Sequence, residues 1–155
     1  MKTLTAALAP YVLAATLVPA LAACATATGA GQGTRTGTPL IATLDGKAEV
    51  PGPGDPNGTG EFSGWFDPAM GRICYTLGVG SLANPTMAHI HRGAAQVAGP
   101  PVVVLSTPVQ NISDTCLPVA PALISEIVAN PAGFYVNVHT KEHPSGAIRA
   151  QLMRP

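Results

Sequence analysis

Phe134-Tyr135-Val136-Asn137-Val138-His139-Thr140 leads through Lys141-Glu142-His143-Pro144-Ser145 into Gly146-Ala147-Ile148-Arg149-Ala150-Gln151-Leu152. Both runs alternate with period two, as strands with two unlike faces do. Phe134, Val136 and Val138 form the apolar face of the first run, with Tyr135, Asn137 and His139 opposite. Ile148, Ala150 and Leu152 point inward in the second, with Arg149, Gln151 and Met153 outward. The segment between them reads as a hairpin loop, and pairing Thr140 with Gly146 sets Asn137 across from Arg149. His139 then lies among polar neighbours.

Working outward from this hairpin, short β-type runs recur every eight to twelve residues between Gly, Pro, Asn and Asp. The predicted strands are 40–45, 60–67, 72–79, 86–91, 101–107, 133–140 and 146–153. Arg72-Ile73-Cys74-Tyr75-Thr76-Leu77 puts Ile73, Tyr75 and Leu77 on its apolar face and Cys74 on the other. Residues 51–58 (Pro-Gly-Pro-Gly-Asp-Pro-Asn-Gly) form a turn-rich loop. One stretch breaks the pattern: residues 120–129 carry Leu123, Ile124, Ile127 and Val128 at helical spacing, which predicts a short helix over one end of the sheet. The expectation is an all-β domain, a small sandwich or barrel of about seven to eight strands with one short helix. Charged residues make up 10% of the chain against 17 Gly and 16 Pro, a balance that suits short strands and many turns. Eight Lys and Arg balance eight Asp and Glu with no basic patch, so nucleic acid is not expected as a partner.

The N-terminus carries an export pattern. Lys2 precedes an apolar stretch over residues 4–18, too short for a span of roughly 20 residues. Leu21-Ala22-Ala23-Cys24 resembles the lipobox of bacterial lipoprotein precursors, where cleavage precedes a cysteine that carries diacylglycerol. The expected organisation is a signal peptide at 1–23, a tether at 24–39 lipidated on Cys24, and a domain at 40–155. The tether holds no large apolar side chain up to residue 38. Ala25, rather than Asp, follows the cysteine, a pattern resembling outer-membrane sorting. The expected location is therefore the cell envelope, anchored to a membrane by lipid and facing the periplasm or the cell surface.

Three cysteines are an odd number for an exported chain. Assigning Cys24 to lipid leaves Cys74 and Cys116 as a pair for a disulfide, with two buried free thiols as the alternative.

Several elements together resemble the CHRD domain, first named from chordin. They are Leu44-Asp45-Gly46 with Glu49-Val50-Pro51, Ala88-His89-Ile90-His91-Arg92-Gly93-Ala94, Pro101-Val102-Val103-Val104-Leu105, Tyr135-Val136-Asn137-Val138-His139-Thr140, and Pro144 through Leu152. In order and spacing they cover residues 40–153. The resemblance implies a Greek-key-like all-β fold and supplies no fixed activity.

All four histidines fall in two places. His89 and His91 share a strand face with Met87, and His139 lies on the polar face of another strand, with His143 in the hairpin loop. Two imidazoles at i and i+2 with a third from a neighbouring strand can hold one ion. Imidazole suits Cu(II) and a nearby thioether suits Cu(I), so copper is the favoured ion, with zinc as competitor. The alternative is a polar network with Asn137 and Arg149 that fixes loops to the sheet. His-Ile-His-Arg-Gly also resembles the His-x-His strand of copper-zinc superoxide dismutases. Four histidines cannot furnish that two-metal centre with its bridging imidazole, and no nucleophile elbow occurs. A binding domain therefore leads over an envelope interaction module with a protein partner, and over a mononuclear copper redox enzyme. Trp65, on the polar face of its strand, could be a ligand platform but more simply packs under a loop.

Overall fold

The structure, a computed structural model, describes residues 35–155. The alternation seen in the sequence becomes eight strands: β1 (Thr38–Asp45), β2 (Thr59–Asp67), β3 (Arg72–Gly80), β4 (Pro85–Arg92), β5 (Pro101–Leu105), β6 (Ile112–Pro118), β7 (Phe134–Thr140) and β8 (Ile148–Gln151). They pair antiparallel throughout, in the order β5-β4-β7-β8-β1-β2-β3-β6. The all-β expectation is met by one continuous sheet curled into a half-barrel. Its inner face carries the core: Leu40 and Leu44, Phe62 and Phe66, Ile73, Tyr75 and Leu77, Ile90, Val136 and Val138, and Ile148. Phe62 stacks on Tyr75 with ring centres 5.5 Å apart, an arrangement that adds to the area both rings bury.

The helix α1 (Pro121–Ala129) starts with proline in its first turn, where the missing N–H costs nothing. It drives Ile124 and Ile127 into the core at i and i+3. Among the described residues no helix is long and apolar enough to cross a membrane.

β8 is shorter than the expected 146–153, since the Gly146 N–H turns back to the His143 carbonyl and Met153 makes only an isolated bridge to Ile41. Three further differences from the sequence expectation have local causes. Residues 112–118 form an edge strand that the apolar pattern did not reveal. Ser113 and Thr115 take inward positions where large apolar residues are the usual signal, while Asp114 and Cys116 face out. β5 stops at Leu105 because the Ser106 N–H leaves the ladder for the Tyr75 hydroxyl at 2.6 Å, and Pro108 follows. β1 begins at Thr38, ahead of the expected start at 40. Just before it, the Arg35 guanidinium lies 5.0 Å over the Trp65 ring and pairs with Asp114, and Thr36 donates to Asp67. Trp65 is thus covered by the chain's own segment. Cys24 and the proposed signal peptide lie outside the described residues.

Cys74 and Cys116 are disulfide-bonded. They are directly opposed between β3 and β6, beside Trp65 on the outer face, so the bond fastens the edge strand to its neighbour.

Candidate metal centre

The far half of the sheet has a second buried layer, on its outer face. Every residue of β7 is buried, although Tyr135, Asn137 and His139 alternate away from the core. Part of the cover comes from the loop that joins β4 to β5, while Glu49 meets Asn137 and the Pro144 carbonyl meets His139. The carbonyls of Ala94 and Val97 accept from the Arg149 guanidinium, and the Gly93 carbonyl accepts from Gln151. Arg149 is 2% exposed and lies 3.6 Å above the Tyr135 ring centre. A cation held this deeply requires such partners, because desolvation penalises any unmet donor. Asn137 does oppose Arg149, as the hairpin register predicts.

Within this layer the pairing of β4 with β7 assembles the histidines. Met87 opposes His139, His89 opposes Asn137, and His91 opposes Tyr135. His89 and His139 are therefore diagonal neighbours on one face, within reach of long side chains. His89 Nδ1 lies 3.2 Å from His139 Nε2. One nitrogen from each of His89, His91 and His139 falls within 4.8 Å of the others. Of the histidines named from the sequence, these three converge. Met87 stands at the solvent side of the group, 46% exposed, and His143 stays in the hairpin, where its backbone N–H donates to Thr140 Oγ1 at 3.0 Å.

Hydrogen bonds fix which nitrogen of each ring is available. His91 Nδ1 lies 2.8 Å from the Gly99 carbonyl, and His139 Nδ1 lies 3.0 Å from the Pro144 carbonyl. A carbonyl only accepts, so both Nδ1 atoms carry the proton and each neutral ring turns an Nε2 lone pair toward the cluster. The His139 lone pair receives the His89 Nδ1–H. His91 Nε2 is buried and has no hydrogen-bond partner. A buried polar atom left unmet calls for an explanation, and a missing ion is one. Backbone carbonyls holding the remote nitrogen are also the usual outer shell of imidazole metal ligands.

All three rings are held below the ordinary imidazole value of 6.5. Burial is the main cause in each case. For His89 the repulsion of His139 and then His91 adds to it, while the Gly99 and Pro144 carbonyls partly oppose it for His91 and His139. At neutral pH the rings are uncharged, the form that ligates a metal.

Glu49 belongs to the same layer and was not singled out as a site residue in the sequence. It is 6% exposed, accepts from the Asn137 amide, and burial pushes its carboxyl up to about 7 against the pull of Arg149, the Val50 N–H and Asn137. Gly146, at φ +146°, lies against it, and a Cβ there would collide with the Glu49 carboxylate. Tyr135 was also missed. It stacks on His91 at 4.8 Å with the rings 11° from parallel. Alternation marks Tyr135 as outward-facing, but nothing local reveals that this face is roofed.

The fold and the site define an all-β, binding-type domain with a buried polar layer around three histidines. The chain belongs to the CHRD family: the CHRD domain model matches residues 40–152. No curated protein and no solved structure matches it.

Proposed function

We propose that this CHRD domain binds one transition-metal ion, copper before zinc, on His89, His91 and His139. We propose further that the chain is a lipoprotein of the cell envelope, tethered through lipid on Cys24. The observation that carries the metal reading is the set of three converging nitrogens, two of them aimed by backbone carbonyls and one buried without a partner. The group is close to ligating geometry. Three nitrogens at 2.0–2.1 Å from one ion sit roughly 3.5 Å apart, so rotation of the side chains must close a gap that is now at most 4.8 Å. Met87 at the solvent edge supplies a thioether for Cu(I), while the imidazoles suit Cu(II).

Calorimetry with Cu(II) on the metal-free protein, paired with metal analysis of protein purified from the periplasm, tests this. One ion per chain is expected, and no heat at micromolar copper would overturn the reading. The direct His89–His139 hydrogen bond favours one other view, in which the histidines brace the sheet and the domain serves as an interaction module for an envelope protein. That view requires no metal in either measurement. The anchor rests on Leu21-Ala22-Ala23-Cys24 and the apolar stretch before it.

A further inference from the structure

We infer that Tyr135 is a positioning residue for the metal centre: through Gly99 it sets which nitrogen of His91 faces the ion. This rests on the metal reading above and deepens it. Gly99 is the joint between the covering loop and the histidines. Its carbonyl accepts from His91 Nδ1 at 2.8 Å and from the Tyr135 hydroxyl at 3.3 Å, and its N–H donates to that hydroxyl at 3.1 Å. The Tyr135 hydroxyl therefore meets both the N–H and the carbonyl of Gly99, fixing where that carbonyl points. By accepting from Nδ1–H, that carbonyl in turn favours the His91 tautomer protonated on Nδ1 and leaves the Nε2 lone pair for the metal.

The rest of the loop is built to hold that joint. A Cβ at Gly99 would collide with the Arg92 backbone carbonyl, so the close approach needs glycine. The Arg92 N–H donates to the Pro100 carbonyl at 3.0 Å, which closes the loop at its base. Arg149 packs over the Tyr135 ring, which also stacks on His91, and it holds Val97 and Ala94 as well. Tyr135 is thus fixed by its ring and acts by its hydroxyl. Because the loop favours the ligating form of His91, an ion on Nε2 must in return favour the closed loop, by reciprocity of coupled equilibria.

The test compares wild type with Tyr135→Phe, which keeps the ring stack and removes only the hydroxyl, and with Tyr135→Leu. In the metal-free protein, nitrogen-15 NMR should find His91 protonated on Nδ1, and Tyr135→Phe should give a mixture of tautomers. Copper affinity should fall about tenfold in Tyr135→Phe and further in Tyr135→Leu, the range seen when outer-shell partners of ligands are removed. The Cu(II) electron paramagnetic resonance hyperfine splitting should change in both. Amide exchange across residues 93–100 should slow when copper is added to wild type and change less in Tyr135→Phe. A wild-type His91 protonated on Nε2, or a Tyr135→Phe protein with unchanged tautomer and affinity within twofold, overturns the inference. The NMR arm needs no metal, so it separates a failure of this positioning role from a failure of copper to bind.

Discussion

Glu49→Gln should make the metal-free domain more stable at pH 8 while changing little at pH 5. Burial raises the Glu49 carboxyl from 4.5 to about 7. The folded state therefore holds a proton that the unfolded chain has already released across that interval. A raised acid contributes stability in full below the unfolded value and loses it as pH climbs through the folded one. At 1.36 kcal/mol per unit, the whole interval corresponds to about 3 kcal/mol, of which roughly 2.5 kcal/mol falls between pH 5 and 8. Glutamine keeps an oxygen to accept from Asn137 and has no proton to lose, so this cost disappears. The assay is urea unfolding of both proteins with chelator present, from pH 5 to pH 8. The quantity of interest is the difference between the two proteins at each pH. Three lowered histidines act in the opposite sense, since their stability is present above 6.5 and lost as pH falls, but they are common to both proteins and cancel. Two curves that stay parallel over the range would show that Glu49 ionises freely in the folded domain, and the buried polar layer would have to be redrawn.

The remaining predictions concern the metal, the disulfide and the anchor. Single His89→Ala, His91→Ala and His139→Ala substitutions should each weaken copper strongly, His143→Ala should not, and Met87→Leu should weaken Cu(I) while sparing Cu(II); an equal effect at His143 would refute the assignment. Because the three rings are held below 6.5, copper affinity should stay level down to about that pH and fall beneath it; a loss that begins well above 6.5 would contradict the burial argument. Labelling of denatured, unreduced protein should find neither Cys74 nor Cys116 free. Their bond spans 42 residues, so chain entropy assigns it about 4 kcal/mol, and reduction should lower the melting temperature by about ten degrees or more. Cys24→Ser should release the protein from the membrane fraction, and unchanged partitioning would rule out lipid on that thiol.

How much of this was legible in advance follows from the range of the interactions involved. Alternation is a property of a few consecutive residues, so the sequence alone assigned β3, β4, β7 and β8 and the faces on which His89, His91 and His139 lie. The hairpin fixed one register, and Asn137 does face Arg149, because a short loop leaves adjacent strands little freedom. Cysteine parity paired Cys74 with Cys116 without any geometry. β6 was hidden because an edge strand with Ser113 and Thr115 facing inward breaks the apolar pattern. Only the tertiary structure decided that β4 lies beside β7, although their histidines are 50 residues apart along the chain. It alone decided that the β4–β5 loop roofs part of their outer face over Arg149, and that Glu49 is buried against Asn137 and Gly146. Outward-facing polar residues look the same in a sequence whether water or a loop covers them. The protonated nitrogens of His91 and His139 depend on carbonyls at Gly99 and Pro144, and backbone atoms, unlike side chains, leave no signature in the sequence.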